Sequence, residues 1–114
     1  MVKGLSKGDI THSVVRLTKR GYEETYLRHI ARQRPIPVKE PKAVIINNET
    51  FYELEFDCSH IQIMNYFFSF GADAIIVSPK EVRDKLIEKY KDAFEKYTEI
   101  SDAIDLSHFF QSTL

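Results

Sequence analysis

Between Thr50 and Cys58 the chain alternates without a break, and this segment limits the fold more than any other. Tyr52, Leu54, Phe56 and Cys58 fall on one side of an extended chain, and Phe51, Glu53, Glu55 and Asp57 on the other. Successive side chains of a strand point to opposite faces. A strand with three carboxylates on one face and four apolar groups on the other is cheaply buried on one side only. It belongs in an antiparallel sheet with one covered face and one open face.

Three further segments read as strands of that sheet. His12–Thr18 places Val15 and Leu17 on one face and Val14, Arg16 and Thr18 on the other. Ala43–Ile46 is a mostly β-branched run, and Asn47-Asn48-Glu49 reads as the turn joining it to Thr50–Asp57 in a hairpin. Ala74–Val77 is short and apolar. If the first and third strands pair, Arg16 faces the acids of the third, Glu53 or Glu55, on the open side.

The helices follow from periodicity and caps. Tyr22, Tyr26 and Ile30, with Leu27 beside them, predict a helix over 22–32. Prolines 35, 37 and 41 then force an extended or looped stretch. Ser59 and Gln62 have the spacing of a capping box, and the following helix is apolar almost all round (Ile61, Ile63, Met64, Tyr66, Phe67, Phe68, Phe70) before Gly71. Ser78, Pro79 and Glu81 predict a third helix with Ser78 as N-cap, and Val82, Leu86, Tyr90, Ala93, Phe94 and Tyr97 form its apolar stripe. Residues 98–114 form a tail with the option of a short helix around Ile104, Leu106, Phe109 and Phe110.

Strand, helix, strand, strand, helix, strand is the order of the ferredoxin-like fold. The expected class is therefore α+β: a ferredoxin-like βαββαβ antiparallel sheet with an added C-terminal helix. The 114 residues suit one domain, divided into a lead-in (1–11), the ferredoxin-like domain (12–97) and the tail (98–114). No apolar run approaches the roughly 20 residues that span a bilayer, no apolar leader is evident at the N-terminus, and Cys58 is the lone cysteine. These point to a cytoplasmic protein without a membrane partner.

Net charge is −1 but unevenly placed: residues 1–42 carry ten Lys/Arg against four Asp/Glu (+6), residues 43–114 six against thirteen (−7). The basic share concentrates in Arg16, Lys19, Arg20, Arg28, Arg32 and Arg34. Lys19 and Arg20 precede the expected first helix, and Arg28 and Arg32 stand i, i+4 on it. Lys19, Arg20, Arg28, Arg32 and Arg34 are thus the candidate contacts for a phosphate, nucleic acid or anionic effector, with a solvated helix face as the plain alternative.

The residues give little support to catalysis. His12, His29, His60 and His108 are scattered, so no metal or cofactor is expected. The four glycines fit neither GxGxxG nor GxxxxGK[ST]. Glu53 and Glu55 share an open strand face where ordinary acidity is expected. Base stacking in the manner of an RNA-recognition motif would meet those acids, and nucleic-acid binding by this chain alone is expected to be weak or absent. An acylphosphatase-like enzyme would need a glycine-rich anion loop after the first strand, where Thr18-Lys19-Arg20-Gly21 stands instead.

The stretch from Met64 to Leu86 carries a resemblance. Ser69-Phe70-Gly71-Ala72-Asp73-Ala74 closing an apolar helix, a strand ending in Ser78-Pro79, and the helix bearing Val82-Arg83 and Leu86 resemble the C-terminal extension of WYL-domain transcription regulators, the WCX domain. The likeness extends loosely over residues 12–97, including Val14-Val15-Arg16-Leu17. Complete members carry an N-terminal winged helix-turn-helix and a WYL domain, neither of which is present. This chain has no tryptophan, and the family's ligand-contacting basic residues map to no position in it. The resemblance implies a non-enzymatic module of a bacterial DNA-binding regulator that helps it dimerise and shapes its effector site. Its partners would be a second copy and the winged-helix and WYL domains. An ACT-like small-molecule sensor and, behind it, an acylphosphatase-like enzyme are the other readings of the same fold.

Overall fold

The chain, seen in a computed structural model, is described for residues 10–113, with side chains in the last helix as far as Ile100. Four strands, β1 (Ile10–Thr18), β2 (Lys42–Ile46), β3 (Glu49–Ser59) and β4 (Ala74–Ser78), form one antiparallel sheet in the order β2-β3-β1-β4. Helix α1 (His60–Phe68) links β3 to β4, and α2 (Lys80–Thr113) follows β4. This is the ferredoxin-like order with an added C-terminal helix.

The expected alternation is what the sheet uses. Val15, Leu17, Leu54, Phe56 and Ile76 are buried on one face, where they meet Tyr26, Ile63, Phe67, Phe70, Val82 and Leu86. On the other face Arg16 lies directly opposite Glu53, and its Nε and Nη2 donate to Glu53 Oε2 at 3.0 and 2.7 Å. Register is thus fixed twice, by burial on one side and by a cross-strand charge pair on the other.

Local signals account for the element ends. Asn47 and Asn48 have φ of 51° and 67°, and Ile46 pairs with Glu49. The hairpin turn therefore has two residues rather than the three expected, in the left-handed conformation that matches strand twist and that asparagine tolerates. The Gln62 amide donates to Ser59 Oγ at 3.1 Å, capping α1. Gly71 takes φ of +59°, as its place after α1 required.

Three expectations fail. The helix over 22–32 is reduced to a wide π-type turn at Gly21–Tyr26, in which the Leu27 amide donates to the Tyr22 carbonyl at 2.9 Å, followed by a 3₁₀ turn at Ala31–Gln33. The chain closes there in short turns, the Arg28 amide donating to the Thr25 carbonyl at 3.2 Å and the His29 amide to that of Tyr26 at 3.3 Å, and Arg34 Nη1 adds a second bond to the Tyr26 carbonyl at 2.7 Å. Tyr26 is anchored as well by its hydroxyl, which donates to the Pro35 carbonyl at 2.6 Å. Ser78 does not cap α2: it is the last residue of β4, paired with Val14, and the first amides of the helix donate to the Pro79 carbonyl instead. Nor does the third helix stop near Tyr97 with a separate tail. It continues to Thr113, 34 residues or about 51 Å. Phe94 and Tyr97, expected in the apolar stripe on the core, are 69% and 74% exposed; the last α2 side chain described as packed on the core is Tyr90, stacked on Phe68 of α1. The rings of Phe109 and Phe110 and most of the lead-in lie outside the described residues, and Ile10 and Thr11 already belong to β1.

Phe67 is fully buried against Phe56, Tyr66 and Phe70, whereas Phe68 is half-buried, stacked on Tyr90. Phe67→Ala is therefore expected to cost roughly 3–5 kcal/mol in chemical denaturation, more than Phe68→Ala. A loss below about 1 kcal/mol for Phe67→Ala would remove α1 from the centre of the core.

Candidate functional site

The five candidate basic residues do not form one surface. Lys19 and Arg20 sit at the end of β1, in a cleft of about 440 Å³ whose walls are Thr18, the hairpin residues Asn48–Phe51 and Asp73. Arg28 and Arg32 are exposed, but with the helix interrupted they stand on a turn and on the 3₁₀ segment and share no helix face. Arg34 is committed to structure. Besides bonding the Tyr26 carbonyl, its guanidinium lies 4.6 Å from the centre of the Tyr26 ring. Only Lys19 and Arg20 remain together beside a concavity.

That cleft is built around Asp73, which the sequence did not mark. Its carboxylate accepts from Thr18 Oγ1 at 2.9 Å and from Arg20 Nη2 at 3.2 Å, while Thr18 Oγ1 accepts from the Gly21 amide at 2.9 Å. The chain approaches itself so closely that a Cβ on Gly21 would stand 2.7 Å from the Asp73 carbonyl oxygen. Asp73 thereby ties the β1 end to the turn before β4, and it neutralises part of the positive charge that an anion would meet. The Arg20 side chain is 72% exposed, whereas that of Asp73 is only 24% exposed.

The open sheet face is not the bare acidic surface that its sequence suggests. Glu53 is held by Arg16. Glu55 accepts from Lys39 at 3.1 Å and meets His12 Nε2 at 3.0 Å, and Asp57 meets His12 Nδ1 at 2.7 Å. Each of the three strand carboxylates therefore has a basic partner. The hydrogen bond to Asp57, then that to Glu55, raises the His12 pKa above its ordinary 6.5. Lys39, with His12 behind it, lowers that of Glu55. A carboxylate held ionised in this way is a poor proton donor near neutrality.

Other chemistry is sparse among the described residues. No group of three or more His, Cys, Asp or Glu is placed to hold a metal ion. Cys58 is a half-buried thiol whose pKa burial raises, against a nucleophilic role. Burial pushes the Tyr26 and Tyr66 phenols up to about 12, so both serve as neutral hydrogen-bond groups. Among the described residues no helix is long and apolar enough to cross a membrane.

No family model matches the chain, and no curated protein matches it. Among solved structures it is similar to a protein described as CRISPR Cas-related, in a crystal structure with a TM-score of 0.56 and 32% sequence identity. The likeness covers 77% of this chain and 21% of that one, so the chain spans about a fifth of that protein's length.

Two measurements test this description of the surface. In an NMR titration the His12 midpoint is expected above 6.5, falling back toward it in Asp57→Asn. Stability contributed by His12 is then present at pH below its unfolded value and lost as pH rises through the folded one; Glu55 acts in the opposite sense, its contribution lost as pH falls through its lowered value. A midpoint at or below 6.5 would contradict the His12–Asp57 contact. With basic residues dispersed, duplex DNA is expected to bind no more tightly than about 10 μM at low salt, and more weakly as salt rises. Tight, salt-insensitive binding would reveal a base-reading surface.

Proposed function

We propose that this chain is a non-enzymatic module that serves regulation and self-association within a larger protein, and specifically that it acts as the C-terminal extension of a WYL-type transcription regulator. The observation that carries the modular reading is its likeness to about a fifth of a much longer CRISPR Cas-related protein at 32% identity. The turn after α1 supports the narrower assignment, with Gly71 at φ +59° between Phe70 and Asp73, as does the four-stranded ferredoxin-like order. Self-association is supported by large apolar side chains that α2 leaves exposed. A contribution to effector recognition falls to Lys19 and Arg20 beside their cleft rather than to Arg28, Arg32 or Arg34. Cytoplasmic location and the winged-helix and WYL domains as partners belong to the same proposal.

Light scattering on the full chain tests it. At tens of micromolar, the expected mass is twice the 13.3 kDa of one chain. A mass of one chain at several hundred micromolar would overturn the self-association part of the reading.

A further inference from the structure

Among the described residues β2 pairs with β3 alone and is the outermost strand on its side of the sheet. The two-residue turn at Asn47-Asn48 makes Ile46 and Glu49 a hydrogen-bonded pair. Because such pairs alternate along an antiparallel ladder, Ile46, Val44 and Lys42 turn their amides and carbonyls toward β3, opposite Glu49, Phe51 and Glu53. The Val38 amide extends that side of the ladder by donating to the Glu55 carbonyl at 2.8 Å. Ala43 and Ile45 therefore turn theirs outward, where among the described residues they meet no partner. The opposite edge is partly closed, since Arg83 Nη1 donates to the Val77 carbonyl of β4 at 2.9 Å. Side chains beside the open groups are apolar: Ile45 is 73% exposed, Ala43 is exposed, and Val44 and Ile46 are partly so. An edge of this kind is a template for a further strand.

Register and charge decide whose strand it is. A second β2 laid antiparallel about a two-fold axis has three ways to bring outward residues level. Centred on Ala43, it sets Ile45 against Pro41, which has no amide. Centred on Ile45, it sets Ala43 against Asn47, which lies in the turn at φ 51°. Centred on Val44, it sets each Ala43 against the Ile45 of the other copy, and all four outward amides of the two strands find carbonyls. The same register seats each exposed Ile45 beside a small Ala43 and brings Lys42 level with Ile46, so no like charges stand opposite. Residues 39–42 carry two Lys and one Glu, net +1, and residues 46–49 carry Glu49, net −1. The two-fold lays each basic end beside the acidic end of the other copy, whereas a parallel second strand would set like ends together.

We infer that β2 pairs antiparallel with the β2 of a second copy of this chain about a two-fold axis at Val44, joining the two sheets into one. This rests on the self-association reading above and places its interface on the sheet edge.

The test uses the full chain in a Cys58→Ser background. Ile45→Pro removes an outward amide and leaves the β2–β3 ladder its own donors. It is expected to raise the dimer dissociation constant at least about tenfold, with the circular dichroism spectrum unchanged. Under mild oxidation Val44→Cys is expected to crosslink to itself, because the two copies of this position form a non-hydrogen-bonded pair about 4.5 Å apart, within disulfide reach. Lys42→Cys is expected not to, since its two copies stand four residues, roughly 13 Å, apart along the strands. A dimer that is indifferent to Ile45→Pro and leaves Val44→Cys uncrosslinked would overturn the edge pairing and leave self-association standing on another surface. Efficient self-crosslinking of Lys42→Cys would overturn the register. A chain that stays monomeric would overturn both readings.

Discussion

The antiparallel pairing of β1 with β3 is the contact on which the other parts of the domain depend. It joins segments more than thirty residues apart, and nine aligned pairs from Ile10–Ser59 to Thr18–Phe51 hold it. On the covered side it presents Val15, Leu17, Leu54 and Phe56 as one apolar floor, all fully buried. On the open side Arg16 and Glu53 bridge the same two strands, each side chain about three-quarters buried. A slip of either strand by one residue would send its two apolar groups to water and its member of the ion pair toward the core. Both faces therefore penalise the same error, and β2 and β4 need only add to edges already in place.

Because the floor is fixed, each helix is held by what it can bury there. α1 is short, but Ile63 and Phe67 point into the core, and Tyr66 and Phe70 extend the aromatic cluster toward His29. α2 is long, yet only its first three turns have a floor to lie on. Its mean composition is charged, so the remaining turns owe no stability to the sheet. The crossover from β1 to β2 takes the opposite course. There, a π-type turn and a stretch with three prolines stand in place of a helix, and Arg34 braces the loop by donating to the Tyr26 carbonyl.

What the sequence revealed and what it hid follow from this division. The period-two alternation of β3, the Ser59 cap and the left-handed Gly71 were legible because each is decided by residues near one another in the chain, and the Arg16 register followed from matching the alternating faces of two strands. The helix expected over 22–32 was not, since the contacts that hold the shorter turn, such as Tyr26 to the Pro35 carbonyl and Arg34 to the Tyr26 carbonyl, come from the loop beyond it. The end of the third helix was hidden for a different reason. Val82, Leu86, Tyr90 and Tyr97 read as one stripe, and periodicity cannot say where the sheet beneath it stops. The candidate site was the least legible part. A run of six cations in nineteen residues suggests a surface, yet Arg16 is spent on Glu53 and Arg34 on Tyr26, and Asp73 engages Arg20 from fifty-three positions away.

That redistribution of the cations bears on what kind of ligand this domain can take. A polyanion needs several cations along one track, because its affinity grows with the number of phosphates neutralised together. Here the acids of the open face are already matched by Arg16, Lys39 and His12, and the cations left exposed are separated by a turn and a 3₁₀ segment. A small anion has a lesser requirement: one cleft, one or two cations and a pair that yields easily. In this cleft Arg20 is mostly exposed but bound to Asp73 at 3.2 Å, so an incoming carboxylate or phosphate would have to compete with a carboxylate whose own charge stays beside it.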